Sequence, residues 1–168
     1  MKILVLGYSG AGKSTFAKKL QLHYEIPLLY LDTIHFEANW VERSDENMEN
    51  DMKRFMSHNE SWIIEGNYRK VCKDRYDLAD QIFIFKRQRL VCLYGVVKRR
   101  IKHHKTPRES IATGCKEKLD LSFLLWVLFT GRTRKRRAYF DLIEKKYSNK
   151  VKIFKYKHQI KRYLKDIK

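Results

Sequence analysis

The apolar run Ile3-Leu4-Val5-Leu6 leads without a break into Gly7-Tyr8-Ser9-Gly10-Ala11-Gly12-Lys13-Ser14-Thr15, and this junction constrains the chain more than any other part of it. The pattern is G-x-x-x-x-G-K-[ST] between a strand and a helix. Its glycines are required because successive backbone N–H groups must turn inward around an anion, in conformations and at distances that a Cβ would block. Lys13 is then expected to reach the β and γ phosphates of a nucleoside triphosphate such as ATP. Ser14 is expected to offer its hydroxyl to Mg²⁺, and the helix starting here to aim the positive end of its dipole at the phosphates. Gly7, Ser9, Gly10, Ala11, Gly12, Lys13, Ser14 and Thr15 form the expected nucleotide-contact set. The competing reading is a glycine-rich turn with no ligand.

Beyond this loop, strand-like and helix-like segments alternate without repeats or low-complexity linkers. Strands are expected at Lys2 to Leu6, Leu28 to Leu31, Trp62 to Ile64, Gln81 to Phe85 and Val151 to Phe154, each a short apolar run of the kind a parallel sheet buries on both faces. Helices are expected from Lys13 to His23 with Phe16, Leu20 and Leu22 on the apolar side, from Ser44 to His58 with Ser44 as cap, and from Arg89 to Lys102 with Leu90, Leu93, Val96 and Val97 inward. Further helices are expected around Leu119 to Thr130, from Ala138 to Tyr147 and from Gln159 to Lys165. Crossover helices between strands imply a parallel sheet with helices on both faces and ligands at the carboxyl ends of the strands. The expected fold is thus a three-layer α/β/α nucleotide-binding domain with a five-stranded parallel sheet.

At 168 residues the chain fits a single domain with one insertion, a basic helical segment at about 103–137 that includes Pro107 and Gly114. Cys72, Cys92 and Cys115 are odd in number and lack metal-ligand spacing, so free thiols in a reducing compartment, the cytoplasm, are expected, with no secretion leader. The apolar stretch Leu121 to Phe129 is far shorter than the about 20 residues that span a bilayer, and reads as a buried helix. No membrane association is expected, because no basic helix shows a clean apolar face.

Charge is divided unequally: residues 1–85 carry 11 Lys+Arg against 13 Asp+Glu, whereas residues 86–168 carry 26 against 6. Such a field attracts polyanions, whether nucleic acid, an anionic membrane surface or the phosphates of the protein's own substrates. A solvated lysine-rich surface is the plainer reading.

Two carboxylates follow strands at the edge where the glycine loop emerges. Asp32, in Leu31-Asp32-Thr33-Ile34-His35, can hold Mg²⁺ through water or orient an acceptor hydroxyl, or else cap a turn. Glu65 ends the strand Trp62-Ile63-Ile64 and has the expected layout of a second metal-site motif. Arg69 lies where a guanidinium can grip an acceptor phosphate bidentately.

The order Glu65-Gly66-Asn67-Tyr68-Arg69 resembles the short phosphate-loop kinases of the adenylate kinase type, whose third strand ends in a carboxylate followed by Gly-x-x-Arg. It is similar also to the bacterial DNA topology modulation proteins, small relatives of those kinases with a tryptophan after strand two and another opening strand three, here Trp40 and Trp62. The resemblance covers nearly the whole chain, including the arginine-rich helix after strand four and the helix around Trp126. The chain differs from adenylate kinases in carrying Asn67-Tyr68 in place of phenylalanine and proline, and in lacking an adenine-specific acceptor loop. The resemblance implies a lid at the insertion, with Arg99, Arg100 and Arg108 before it and Arg132, Arg134, Arg136 and Arg137 after it. Lid closure would steady the transferring phosphoryl and exclude water.

Taken together, the residues point to an ATP- and Mg²⁺-dependent phosphotransferase with an unidentified acceptor. Lys13, Asp32, Glu65 and Arg108 are the expected catalytic groups, Ser14, Asp32 and Glu65 the metal-holding groups, and Asp32, Arg69, Arg99, Arg132 and Arg134 the acceptor-binding groups. The rival reading is a nucleotide-regulated protein whose basic half binds DNA or RNA, weakly and with strong salt dependence. No helix-turn-helix or zinc-finger pattern supports sequence-specific reading.

Overall fold

The computed structural model describes residues 1–103, 108–115 and 119–167. Strand β1 (Lys2–Gly7), β2 (Leu28–Tyr30), β5 (Trp62–Glu65), β6 (Gln81–Phe85) and β7 (Val151–Phe154) pair in parallel in the order β2-β5-β1-β6-β7. Two further short strands, β3 (Phe36–Glu37) and β4 (Val41–Glu42), form a separate antiparallel hairpin. The α/β layered fold expected from the sequence is therefore the one observed. After β1 the chain runs first to one side, through β2 and β5, and then to the other, through β6 and β7. The reversal occurs at β1, and the loop 7–15 lies at that switch point, where open parallel sheets open a crevice for ligands.

Alternation along each central strand divides the core in two. Leu4, Leu6, Ile64, Ile82 and Ile84 face one side and pack under α3 (Asp45–His58) and α7 (Arg134–Lys146) through Met48, Met52, Phe140 and Ile143. Ile3, Val5, Ile63, Phe83 and Phe85 face the other and meet α1 (Lys13–Tyr24), α5 (Arg89–Lys102) and α8 (Lys157–Asp166) through Phe16, Leu20, Cys92, Val96 and Tyr163. Each such side chain contributes about 1.5–3 kcal/mol on burial, so both helical layers are anchored by the same strands.

Helix ends follow local chemistry. The Ser44 hydroxyl accepts from the Asn47 N–H and starts α3, as expected. Asp120 caps α6 (Leu121–Leu128) by accepting from Phe123 N–H at 2.7 Å. Glu25, in the left-handed region at φ 56°, closes α1.

Several expectations are corrected. Leu31 opens a short helix, α2 (Leu31–His35), rather than ending strand two, and Asp32 follows the strand on that helix. Leu22 and Leu90 point to solvent instead of the core, because the sheet covers only one stripe of each helix. The segment Leu121 to Phe129 is not a buried helix: α6 hides only Val127 fully, packing on α5, and leaves Leu121 and Phe129 more than half exposed. Helix α7 begins at Arg134, one turn before the expected Ala138. Pro107 lies outside the described residues. No helix among the described residues is long and apolar enough to cross a membrane.

A candidate phosphate-transfer site at the sheet's switch point

Strand β1 delivers Gly7 to the carboxyl edge of the sheet, and the loop then turns with Gly7, Gly10 and Gly12 at φ 132°, 73° and 94°. Gly10, and Gly95 of α5 facing it, are also closed to a side chain. A Cβ on Gly10 would lie 2.1 Å from the carbonyl oxygen of Cys92, and one on Gly95 would lie 2.2 Å from the Gly10 carbonyl oxygen. Helix α5 therefore rests backbone to backbone on the loop. Gly12 precedes α1 without a side-chain cap, so the N–H groups of the first turn are left to whatever the loop encloses.

The side chains of Lys13, Ser14 and Glu65 meet at the mouth of this loop. Ser14 Oγ donates to Glu65 Oε2 at 2.8 Å, and Lys13 Nζ lies 3.4 Å from Glu65 Oε1 and donates to the Tyr8 carbonyl at 3.2 Å. Glu65 reaches this point because β5 lies directly beside β1, with Val5 opposite Glu65. Tyr30 is the register partner of Glu65 on β2. Its phenol is pushed up to about 12, by burial first and then by the nearby charges of Glu65 and Glu109, with Arg108 opposing. Arg108 Nη1 donates to Ser110 Oγ at 2.9 Å.

Asp32 stands on α2 just beyond β2, and its Oδ1 accepts from the Tyr68 hydroxyl at 2.7 Å. Arg69 lies with its guanidinium 5.2 Å over the Tyr139 ring, and Arg136 with its guanidinium 5.3 Å over the Trp126 ring. The two arginines line one cleft, which also takes in Tyr8 and Ser9 of the glycine loop. Burial, and after it the Arg69 charge, lower the pKa of Arg136. No carboxylate pairs with either guanidinium among the described residues.

The remaining arginines do not form one cluster. Arg132 is buried: Nη1 donates to the Arg87 carbonyl at 2.8 Å, Nε to the Val127 carbonyl at 3.2 Å, and Nη2 lies 2.9 Å from Cys92 Sγ. Its guanidinium stacks 3.8 Å from the centroid of the Tyr8 ring. Arg134 and Arg137 are exposed on α7, and Arg99 and Arg100 are half-buried on the last turn of α5. Of the insertion, residues 103, 108–115 and 119–137 are described, and the stretch 108–115 is docked. Ile111, Ala112 and Cys115 pack against Phe36 and Trp40 of the hairpin, and Cys115 Sγ–H donates to the Glu37 carbonyl at 3.1 Å.

Sequence reasoning assigned no role to Asn67, Tyr68 or Arg75. Arg75 is fully buried and donates through Nη2 to the carbonyls of Asn67 and Tyr68 and through Nη1 to that of Val71, holding the turn after β5 in place. The available signal was the presence of Asn67-Tyr68 where a phenylalanine and proline stand in the resembling kinases. All three cysteines are buried free thiols.

No protein-family model matches the chain, and no curated protein matches it. Among solved structures the chain is similar to a deoxyadenosine kinase from M. mycoides with dCMP and dCDP bound, at 13% identity and a TM-score of 0.52, over 99% of this chain and 96% of that one. It is also similar to a shikimate kinase from Bacteroides thetaiotaomicron, at 16% identity and a TM-score of 0.47, again over 99% of this chain and 96% of that one. The likeness to the deoxyadenosine kinase is one of fold alone, a five-stranded parallel sheet layered between helices.

Proposed function

We propose that the protein is a kinase that passes the terminal phosphoryl group of a nucleoside triphosphate, taken here as ATP, to a small acceptor. The observation that carries this reading is the convergence of Lys13, Ser14 and Glu65 at a glycine loop on the sheet's switch point, with Asp32 on the short helix α2 just beyond β2. Loop N–H groups and Lys13 would hold the β and γ phosphates. Ser14 and Glu65 offer a hydroxyl and a carboxylate, hard oxygen donors suited to Mg²⁺. When bound, Mg²⁺ would supply charge neutralisation between the phosphates.

Asp32 would orient the acceptor and, where the acceptor is an alcohol, take its proton as the new oxygen–phosphorus bond forms. The bond to the bridging oxygen then breaks and ADP leaves with the electron pair. Arg69 and Arg136 would hold an anionic part of the acceptor, and Arg99, Arg108 and Arg134 would border a lid formed by residues 103–137. Arg132 serves as an anchor of the loop rather than as an acceptor contact. We place the protein in the cytoplasm, in keeping with its free thiols. Phosphate transfer from ATP, screened across nucleosides, nucleoside monophosphates and sugars, tests the reading; binding of MgATP without transfer to any class would count against it.

A second reading, nucleic-acid binding of the kind suggested by the likeness to DNA topology modulation proteins, is favoured by one surface. The groove between edge strand β7 and α8 is lined by Lys152, His158 and Arg162. Beside it the half-exposed Tyr156 ring stacks on His158 at 5.6 Å. Such a surface suits phosphate contacts and base stacking without sequence preference.

A further inference from the structure

The turn after β5 joins the two halves of the site through two consecutive side chains that point to different partners. Pairing between β1 and β5 ends at Val5 and Glu65, and the Gly66 N–H still donates to the Val5 carbonyl at 3.1 Å. One step further the Asn67 side-chain amide replaces the missing strand. The Gly7 N–H donates to Asn67 Oδ1 at 3.0 Å, and Asn67 Nδ2 donates to the Gly7 carbonyl at 3.0 Å. The first residue of the glycine loop is therefore held on both of its polar backbone atoms by one side chain. The next residue, Tyr68, donates its hydroxyl to Asp32 Oδ1 at 2.7 Å.

Neither residue is free to drift. Arg75 Nη2 donates to the Asn67 and Tyr68 carbonyls at 2.8 and 3.0 Å, and the Tyr139 hydroxyl adds a bond to the Asn67 carbonyl at 3.3 Å. The His35 ring packs on the Tyr68 ring at 4.5 Å between centroids. Burial, followed by the charges of Asp32 and Glu65, pushes the Tyr68 phenol far above its ordinary range, so it stays a neutral donor.

We infer that Asn67 and Tyr68 are positioning residues for phosphoryl transfer: Asn67 fixes the donor loop at Gly7, and Tyr68 fixes the acceptor carboxylate Asp32, through adjacent positions of one clamped turn. The inference rests on the phosphotransferase reading. Tyr68 takes one acceptor site of Oδ1, so Oδ2 is the oxygen that carries no bond from the turn and is turned to the acceptor's use. Misplacement of a catalytic group by about 1 Å can cost about a hundredfold in rate, so the loss of such a tether is measurable.

The test is a double-mutant cycle on the full chain with Tyr68→Phe and Asp32→Asn, using an acceptor found in the transfer screen, with MgATP calorimetry and melting temperature for every variant. Tyr68→Phe keeps the ring and the core. It is expected to lower kcat about 10- to 100-fold with MgATP affinity within about twofold of wild type, and to add almost nothing in the Asp32→Asn background, because its effect passes through Asp32. Asn67→Leu is expected to do the opposite and weaken MgATP binding more than about tenfold. Wild-type kcat in Tyr68→Phe, losses that multiply in the double variant, or unchanged MgATP affinity in a folded Asn67→Leu would overturn the inference while leaving the kinase reading intact. Wild-type protein that binds no MgATP and transfers no phosphate would overturn the kinase reading itself, and the inference with it.

Discussion

The ammonium of Lys13 and the carboxylate of Glu65 lie 3.4 Å apart with both side chains about nine-tenths buried, and the same carboxylate accepts the Ser14 hydroxyl. A pair so shielded from water is held in place by mutual attraction, and loss of one partner strands the other. Lys13→Met is therefore expected to lower the melting temperature and to reduce MgATP affinity at least about a hundredfold, since no other lysine is placed in the loop. Calorimetry with MgATP checks this. A folded variant of unchanged affinity would remove the basis of the donor-site assignment.

The contact between Gly10 and α5 leads to a second prediction. With φ at +73° and a Cys92 carbonyl oxygen 2.1 Å from any added Cβ, Gly10→Ala must either strain the loop or push α5 away. Gly95→Ala meets the Gly10 carbonyl from the other side at 2.2 Å. Each is expected to cost about 2–4 kcal/mol of stability, in the range of strain and overpacking, and to weaken MgATP binding as well. Urea unfolding of the two variants, with and without nucleotide, measures both effects. A stable Gly95→Ala protein with normal affinity would mean that α5 is not a support of the loop.

Much of this was legible in the chain because local pattern and global fold agree there. Apolar runs bounded by turns marked all five sheet strands, and Gly12-Lys13-Ser14 marked the start of α1. The hairpin 36–42 was not legible: its strands are two residues long, too short for any alternation, and its turn is set by Asn39 and Trp40 at positive φ, which residue type alone does not announce. Arg132 was read with its neighbours as a lid arginine because charge runs look alike in sequence. Its burial depends on tertiary partners, Arg87, Cys92 and Tyr8, that lie about 40 or more residues away.

That burial makes Arg132 separable from the arginines around it. Arg132→Ala leaves the carbonyls of Arg87 and Val127 without their donor and a void against Tyr8, and is expected to destabilise the protein by about 2–4 kcal/mol. Arg134→Ala, on an exposed first turn, is expected to stay within about 0.5 kcal/mol of wild type. Thermal or urea unfolding of the pair distinguishes anchor from surface charge. Equal stabilities would show that Arg132 contributes as little as an exposed side chain.

The cleft shared by Arg69 and Arg136 supports the last prediction. Two guanidiniums face one cleft, each over an aromatic ring, and no described carboxylate pairs with either; the lowered pKa of Arg136 expresses burial and repulsion together. Removing one charge relieves that repulsion, so Arg136→Gln is expected to match or slightly exceed wild-type melting temperature at low salt, despite the lost stacking on Trp126. An anion seated between the two arginines would stabilise only the protein that carries both. Inorganic phosphate or sulfate is therefore expected to raise the melting temperature of wild type by several degrees, and that of Arg136→Gln or Arg69→Gln by clearly less. The glycine loop also attracts phosphate, so the comparison is made in the Lys13→Met background, where the loop's contribution is reduced and the cleft's remains. If phosphate stabilises the arginine variants as much as their parent in that background, the cleft does not hold the acceptor's anionic group.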